Sequence, residues 1–323
     1  NDNLLVDVRS PTEFELGNIP GAINIPLFDD DERARVGVTY KNNGQEAAVR
    51  VGLGIVGPKT AAIVKEVDAL TTSKKIAVHC WRGGMRSDSI ASLLTMAGYS
   101  VSLLEGGYKA YRNLVLEQLG EPWDIRILSG RTGSGKTEIL LAMQKMGAQV
   151  VDLEGLANHK GSAFGGLLQP PQPSQQNFEH ALFNAFRALD PKKPIWLEDE
   201  SLSIGRVYIP QPLWKNKMQS IVTVIDMDIA RRVKRLVSEY AGAPDEGIRT
   251  SLLNIQKRLG GQHVQAALVA LEAGDFAQGA HIALQYYDRA YDKGLQKRET
   301  QIVRRLDAEQ KPIEKIAAEV LVK

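Results

Sequence analysis

One stretch of eight residues constrains this chain more than any other: Gly130-Arg131-Thr132-Gly133-Ser134-Gly135-Lys136-Thr137. It matches the pattern G-x-x-x-x-G-K-[ST], in which backbone N–H groups enclose phosphate oxygens. Residues 125–129 predict a strand before it, and apolar residues at helical spacing over 138–146 predict a helix after it. We therefore expect a phosphate-binding P-loop in an α/β domain, with Lys136 at the outer phosphate and Thr137 as a Mg²⁺ ligand.

The composition is that of an ordinary soluble protein, with 323 residues, enough for two domains, of which 43% are hydrophobic and 24% charged. We find no apolar run approaching the ~20 residues of a membrane helix, so we expect no membrane partner. A single cysteine excludes an internal disulfide and indicates a reducing compartment. The chain is accordingly expected in the cytoplasm.

Charge is distributed unevenly along the chain. Residues 201–323 contain 19 Lys and Arg against 14 Asp and Glu, whereas the rest has an acidic excess. This part is where a polyanion would bind. An ordinary solvated helix surface would show the same excess.

The N-terminal part predicts a parallel α/β sheet, with strands at residues 4–8, 75–79 and 99–104 between helical segments. Ligands of such sheets bind beyond the carboxyl ends of the strands, where Cys80 lies. Two glycines and the cations Arg82 and Arg86 follow it, and such surroundings lower the pKa of a thiol and make it nucleophilic. The alternative is a buried cysteine that serves only as a small hydrophobe.

These residues carry a resemblance to the rhodanese family. It rests on Asp7-Val8-Arg9, the Ile-Pro-Gly-Ala segment within residues 17–26, the cysteine loop and Glu105-Gly106-Gly107-Tyr108. Sulfurtransferases of that family have C-x₄-R, whereas this chain has C-x₅-R with His79 in front, which resembles the dual-specificity phosphatases. The resemblance implies that Cys80 carries chemistry on sulfur or selenium and that a phosphate-like group fits its loop.

We expect a rhodanese-like domain over residues 1–120 and a P-loop domain with a helical C-terminal part over residues 121–323. Residues 28–58 predict a long, glycine-containing insertion loop of the kind that is functional or mobile. The family fold has elements before the Asp-Val-Arg strand, so we also expect the native N-terminus to extend further.

The second domain predicts further strands at residues 148–153, 195–200 and 221–226. Asp199 follows the second of these, where a Walker-B-like carboxylate would hold Mg²⁺ together with Thr137. An acidic turn without a metal is the alternative. The candidate substrate and lid residues are polar groups near these strands: Asp152, His159, Lys160, Ser162, Gln175, Arg231, Arg232 and Arg235.

The order of these motifs resembles the bacterial tRNA 2-selenouridine synthases. The second domain adds the segments 152–165, 172–175 and 198–205 to the likeness, which spans nearly the whole chain. The resemblance implies that the wobble 2-thiouridine of tRNA is S-geranylated by geranyl diphosphate and then selenated by selenophosphate. It implies Cys80, Arg82, Arg86 and Lys136 as catalytic residues, and an enzyme that supplies selenophosphate as a transient partner.

Three other functions fit the same motifs. The first is a phosphatase fused to a P-loop kinase, in which His79, Cys80 and Arg86 would hydrolyse a phosphoester. The second is a rhodanese-type sulfurtransferase that acts on tRNA with ATP. The third is a non-catalytic tRNA-binding regulator with a nucleotide switch.

Overall fold

The computed structural model describes residues 4–322, which form two compact units. The first comprises residues 4–117 together with 174–180, and the second residues 118–173 and 181–322. Each unit contains one parallel sheet with helices between its strands. The predicted α/β fold class is therefore confirmed.

The first unit has four parallel strands in the order β2-β1-β3-β4. Its elements are β1 (Leu4–Asp7), α1 (Pro11–Glu15), β2 (Ala22–Asn24), α2 (Asp30–Val56), α3 (Thr60–Leu70), β3 (Lys75–His79), α4 (Met85–Met96), β4 (Ser100–Leu103) and α5 (Gly107–Gln118). The central strands bury Val6 and Val78 completely, and Ile90 and Leu94 of α4 close the core over them. Cys80 therefore lies directly after β3, at the carboxyl end of this central strand.

The expected insertion loop at residues 28–58 is wrong, because most of it is helix α2. Its acidic run is the start signal of that helix. The Asp29 carboxylate accepts from the Glu32 amide over 2.8 Å, and the Glu32 carboxylate accepts from the Asp29 amide over 2.9 Å. This reciprocal cap satisfies two amides that a helix start otherwise leaves unpaired. The helix is interrupted at Gly44, whose φ is 85° and ψ is 178°.

Within residues 4–322, one helical stretch, Asp30–Leu70, is long and apolar enough by composition to cross a membrane. It is not one straight helix, since it breaks at Gly44 and again at the 3₁₀ turn Gly57–Lys59. Its side chains Ile55 and Ile63 lie in the core of the first unit. Part of the apolar surface of this stretch is therefore buried in the first unit.

The second unit has five parallel strands in the order β11-β10-β5-β7-β6. Its elements are β5 (Ile125–Gly130), α6 (Lys136–Lys145), β6 (Gln149–Val151), α7 (Leu153–Ala157), α8 (Gln175–Arg187, which begins in the segment 174–180), β7 (Ile195–Glu198), the hairpin β8 (Ser203–Ile204) and β9 (Val207–Tyr208), α9 (Gln211–Gln219), β10 (Ile221–Asp226), α10 (Ile229–Glu239), α11 (Asp245–Asn254), α12 (Gln256–Leu259), α13 (Gly261–Glu272), α14 (Phe276–Gln296), β11 (Ile302–Asp307) and α15 (Ile313–Leu321).

The C-terminal part is mostly helical, but it returns to the sheet. Strand β11 pairs in parallel with β10 and α15 packs on α6, which places Leu306 and Ile316 in the same core as Ile139. The strand is not evident in the sequence because two of its six residues are arginines. Helices α11 to α14 form a second apolar cluster of their own, which includes Leu252, Val264 and Ile282.

The break in α2 leads to a prediction about two glycines of the same helix. Gly44 has a backbone conformation that side chains rarely adopt, so Gly44→Ala should destabilise the protein by about 1–3 kcal/mol. Gly37 is helical with open space around it, so Gly37→Ala should stabilise by roughly 0.5–1 kcal/mol. Urea unfolding of both variants measures the difference. Stabilisation by both substitutions would show that the helix continues through residue 44.

Candidate functional site

The loop after β3 places Cys80 before helix α4, and a second glycine turn holds it there. The Tyr108 amide donates to the Cys80 carbonyl oxygen over 2.9 Å. A Cβ on Gly107, whose φ is 59°, would lie 2.4 Å from that oxygen, so only glycine permits this approach. The Cys80 loop and the segment 105–108 thus form one structure.

The Cys80 thiol is surrounded by hydrogen-bond donors. The Gly84 amide donates to Sγ over 3.4 Å, and the Ser87 hydroxyl lies 3.3 Å from it. Burial raises the pKa of the Cys80 thiol, but the hydrogen bonds from Ser87 and the loop amides outweigh it, and the pKa falls below its ordinary value. These contacts favour the nucleophilic thiolate.

A cavity of about 460 Å³ opens beside Cys80, and three arginines line it. Arg82 and Arg86 come from the loop as expected, and Arg33 comes from α2. Arg86 Nη1 lies 2.7 Å and Arg33 Nε 2.8 Å from Glu13 Oε2, whereas Arg82 is exposed. Three cations beside one carboxylate give this cavity a positive charge that suits an anion. Sequence analysis missed Arg33 because it assigned that segment to a loop.

The His79 ring contacts the backbone carbonyl of Cys80 and not its thiol. Its ring is fully buried, with Nε2 3.7 Å from Asp7 Oδ2 and Nδ1 3.5 Å from the Cys80 carbonyl oxygen. Burial lowers the pKa of His79 against the opposing charge of Asp7, so the ring is neutral. Its place in the structure is in the core behind the loop.

Arg9 is the second buried group behind the cysteine loop. Its guanidinium binds the Asp7 carboxylate, donates to the Gly17 carbonyl oxygen over 2.7 Å and lies 3.8 Å from the centre of the Tyr108 ring. The Asp-Val-Arg motif therefore braces the turn at residues 105–108. Its residues hold the site in place and do not line the cavity beside Cys80.

Gln175 lies in the first unit and not among the groups around the P-loop. Its side-chain amide donates to Glu179 Oε1 over 3.0 Å, and Glu179 also pairs with Arg112. The Tyr108 hydroxyl in turn donates to Gln176 over 2.7 Å. The segment 174–180 thus packs on the rhodanese-like unit.

The P-loop of the second unit has the backbone that the motif predicts. Gly133 and Gly135 have φ values of 80° and 76°. A Cβ on Gly130 would lie 2.5 Å from Ser134 Oγ, and one on Gly135 would lie 2.7 Å from the Arg235 guanidinium. The glycines are therefore required both for the turn and for close approach. The Ser134 hydroxyl is buried without a hydrogen-bond partner in the described part of the chain.

The functional side chains of the P-loop have local partners. Lys136 Nζ donates to the Gly130 carbonyl oxygen over 3.0 Å, and Thr137 Oγ1 donates to Glu154 Oε2 over 3.1 Å. Arg131 instead pairs with Asp292 at 2.9 Å, which turns it away from the phosphate position. Lys136 and Thr137 therefore remain the groups of the loop that can face a phosphate.

A cavity of about 1,090 Å³ lies over the P-loop. Among the predicted site residues, its wall includes Gly130, Thr132, Gly133, Gly135, Lys136, Thr137, Asp152, His159, Lys160, Ser162, Asp199 and Arg235. The cavity exceeds the volume of most small-molecule sites, so it can take more than a diphosphate.

The acids on this wall, and the buried Glu198 near them, repel one another. Burial, together with the neighbouring charge of Glu200, raises the pKa of Glu154 to about 8. Burial also raises the pKa of Glu198 well above its ordinary range, and Asp152 and Glu154 add to the effect. Glu198 Oε2 accepts from the Leu153 amide over 2.9 Å, while Oε1 has no partner among the described residues. Sequence analysis did not select Glu154.

Asp199, the expected Mg²⁺ ligand, is occupied by two cations instead. Arg298 Nη1 lies 2.6 Å and Lys217 Nζ 3.2 Å from its Oδ1, and the Ser129 hydroxyl donates to Oδ2 over 2.6 Å. Its pKa is low because Lys217, Arg298 and Ser129 outweigh the effect of burial. A carboxylate whose charge two cations already balance is poorly suited to bind a metal. The expectation that Asp199 is a Mg²⁺ ligand is therefore corrected.

The three candidate lid arginines of α10 have different surroundings. Arg231 donates to the carbonyl oxygens of Ala308 and Lys311. Arg232 is buried and pairs with Asp288 at 2.7 Å. Arg235 alone of the three lines the P-loop cavity, where it pairs with Glu138. The first two therefore brace the structure, which corrects their expected place over the phosphates.

The polar segment after α7 forms one wall of the cavity. Burial lowers the pKa of His159, although Glu200 opposes the change, so the ring is neutral. Lys160 pairs with Glu239, and the Ser162 hydroxyl accepts from the Phe164 amide over 3.1 Å. Asp152 caps α7 by accepting from the Gly155 amide over 2.7 Å. Asp152 and Ser162 thus have structural partners as well as a place on the wall.

The surroundings of Cys80 predict the effect of removing Ser87. Ser87→Ala should raise the pKa of the thiol, because it removes a hydrogen bond to the thiolate, and should slow its alkylation at pH 7 on the order of tenfold. Since Cys80 is the chain's one cysteine, iodoacetamide labelling against pH reports on this site alone. Ser89→Ala, which removes a bond to the Met85 carbonyl oxygen on the same helix, is the control. If Ser87→Ala and Ser89→Ala show the same pH dependence of labelling, Ser87 does not stabilise the Cys80 thiolate.

Comparison with known protein families matches one family model to each of the two units. Residues 1–114 match the model of the rhodanese-like domain, and residues 123–320 match the model of the tRNA 2-selenouridine synthase AAA domain. The second match covers more than half of the chain.

Similar proteins match nearly the whole length of this chain. The chain is 34% identical to the tRNA 2-selenouridine synthase of Shewanella pealeana, over 94% of this chain and 92% of that protein. It is 36% identical to that of Bdellovibrio bacteriovorus, over 93% and 90% of the two chains. It is 33% identical to that of Sulfurovum sp., over 96% and 93%. With both domain models matched and relatives above 30% identity over nearly its whole length, the chain belongs to the tRNA 2-selenouridine synthase family.

Proposed function

We propose that this chain converts the wobble 2-thiouridine of tRNA to 2-selenouridine through an S-geranyl intermediate, using geranyl diphosphate and selenophosphate. The supporting observation is the presence of two anion cradles of different chemistry. One contains a nucleophilic thiol among arginines, and the other is a P-loop beneath a large cavity. The curated relatives are named for selenouridine synthesis, which supports the same reaction here.

In the first step, the 2-thio sulfur attacks C1 of geranyl diphosphate. The new S–C bond forms as the C–O bond breaks, and pyrophosphate leaves with the electron pair. Amides of the P-loop and Lys136 stabilise the negative charge that develops on the leaving group. No phosphoanhydride bond needs to break, so the P-loop serves without ATP hydrolysis.

In the second step, the Cys80 thiolate attacks the phosphorus of selenophosphate. The Se–P bond breaks as an S–P bond forms, which releases hydroselenide. Hydroselenide then attacks C2 of the modified uridine, and geranyl thiolate leaves. Water hydrolyses the cysteinyl phosphate, so no external oxidant or reductant is needed. Arg33, Arg82 and Arg86 hold the phosphoryl group, as their positions around the cavity suggest.

The larger cavity also suits a nucleobase of tRNA. Trp214, Tyr286 and Tyr291 lie on its wall together with the cations Lys257 and Arg258. Aromatic rings stack on unpaired bases, and neighbouring cations bind the phosphates of single-stranded RNA. These residues belong to the part of the chain with a basic excess. We therefore place the wobble uridine and its neighbours there, in a cytoplasmic reaction.

The residues around Thr137 fit a divalent cation. The Thr137 hydroxyl contacts Glu154, and burial and the neighbouring charge of Glu200 raise the pKa of Glu154 despite the opposing charge of Lys136. Within residues 4–322 no three acidic, histidine or cysteine side chains form a ready-made metal site, so diphosphate oxygens would complete the coordination. A bound Mg²⁺ would supply charge neutralisation at the departing pyrophosphate. Glu154 then replaces Asp199 as the proposed carboxylate ligand.

The two steps should separate by mutation. Lys136→Ala removes the cation at the leaving group, so geranylation should fall on the order of 10²–10³-fold. Selenation of tRNA that is already S-geranylated should survive in this variant. Cys80→Ser should instead accumulate the geranylated nucleoside, because a serine hydroxyl is a far weaker nucleophile.

Mass spectrometry of digested tRNA gives the ratio of thio-, geranylthio- and selenouridine for each variant. If Lys136→Ala blocks selenation of pre-geranylated tRNA as severely as Cys80→Ser does, the division of the steps is wrong. No geranylated or selenated nucleoside with the wild type would remove the proposed function. Steady phosphate release from aryl phosphates that Cys80→Ser abolishes would support the phosphatase instead.

The pKa of Glu154 leads to a prediction about pH and Mg²⁺. The pKa of Glu154 is about 8 in the folded protein, compared with an ordinary value of 4.5. As the pH rises between these values, Glu154 loses its proton in the unfolded chain but keeps it in the folded protein, and this difference lowers the free energy of unfolding. Without metal, Glu154→Gln should therefore unfold at a higher temperature than the wild type at pH 8, but not at pH 4.

Mg²⁺ with pyrophosphate should stabilise the wild type more than Glu154→Gln at pH 8, because the cation needs the ionised carboxylate. Thermal unfolding with and without Mg²⁺ measures both effects. Glu314→Gln, at an exposed position in the same unit, is the control. Equal behaviour of the two variants would exclude Glu154 as the ligand.

A further inference from the structure

A second cavity, of about 180 Å³, lies in the second unit between α10, α11, α13 and α14. Its wall is built from apolar side chains such as Leu252, Leu271 and Leu284, and the described lining residues include no charged group. Five residues line both this apolar cavity and the P-loop cavity: Thr132, Ser162, Leu236, Tyr240 and Tyr287. The apolar cavity therefore opens next to the P-loop itself.

The hydroxyls of Ser162, Tyr240 and Tyr287 at this opening already have partners. The Tyr287 hydroxyl accepts from the Ala163 amide over 2.9 Å, and the hydroxyls of Tyr240 and Tyr287 both bond to Ser162. The interior beyond them offers a ligand no hydrogen bonds. A nucleoside would leave its ribose and base polar groups unpaired there, at a cost that apolar burial does not offset. A hydrocarbon has no such groups.

We propose that the apolar cavity holds the isoprenoid tail of a diphosphate ester whose head lies on the P-loop. The inference rests on the proposed function and assigns the tail a site of its own. A cavity of roughly 150 Å³ accepts benzene, with six carbons, so this one of about 180 Å³ holds roughly seven carbons, and a ten-carbon tail would keep its first carbons in the opening. The C1 atom would then lie at the boundary between the two cavities, where the nucleobase can reach it.

The tail should account for much of the affinity. Each buried methylene adds roughly a fourfold gain, so the non-hydrolysable geranyl S-thiolodiphosphate should bind at least about 100-fold tighter than pyrophosphate. The dimethylallyl analogue should fall between them, and the farnesyl analogue should not improve on geranyl. Calorimetric titration of the full chain measures all four ligands.

Gly279 provides the variant that fills the cavity. It lines the apolar cavity on α14, and a Cβ added there would lie 3.7 Å from the Ala267 carbonyl oxygen, an ordinary contact. Gly279→Leu should weaken geranyl S-thiolodiphosphate at least tenfold and leave pyrophosphate within about twofold. Ala277→Leu, at an exposed position of the same helix, should change neither. Unchanged pyrophosphate binding also shows that the variant is folded.

The opposite change enlarges the cavity. Leu284→Ala should shift the preference from the geranyl towards the farnesyl analogue, because it removes a fully buried side chain from the wall. If geranyl and pyrophosphate bind equally well to the wild type, or if Gly279→Leu and Ala277→Leu behave alike, the inference is overturned even where tRNA is geranylated. If the tail contributes as expected but tRNA is never modified, the proposed function fails and the tail site stands.

Discussion

Both sites depend on glycines that neighbouring atoms approach so closely that a side chain would not fit. Gly107 allows the turn at residues 105–108 to bond the Cys80 loop, and Gly130, Gly133 and Gly135 shape the P-loop. Gly130 ends the buried strand β5 and the other P-loop glycines follow it, whereas Gly107 follows β4, the last strand in the order of its sheet. The amides freed by these turns provide the positive potential for an anion, and the side chains add to it.

Charge in the two sites is arranged differently. Around Cys80, three arginines line the cavity and two of them pair with the Glu13 carboxylate, so the site has unused positive charge for a phosphoryl group. Around the P-loop, acids gather near Thr137 instead, and burial together with the neighbouring charge of Glu200 raises the pKa of Glu154. A thiolate that attacks phosphorus needs the first arrangement, and a metal-assisted departure of pyrophosphate fits the second. The difference supports two chemical steps at two sites in one chain.

The sequence predicted what is local and missed what depends on distant partners. The P-loop and the Cys80 loop each form from contiguous residues, so their motifs were sufficient to find them. Asp199 appeared to be a metal ligand because nothing near it in the chain shows that Lys217 and Arg298 bind it. Similarly, Arg33 joins the thiol site only because α2 is a helix, and β11 is recognisable as a strand only from its pairing with β10.

The central claim is that the P-loop binds an isoprenoid diphosphate and releases it as pyrophosphate. In the most direct measurement, wild-type protein is incubated with 2-thiouridine tRNA, geranyl diphosphate and Mg²⁺, without selenophosphate or ATP. The molar ratio of released pyrophosphate to geranylated nucleoside is then determined. The account predicts one pyrophosphate for each geranylated nucleoside and no effect of added ATP. A requirement for ATP, or pyrophosphate release without geranylated tRNA, would contradict it.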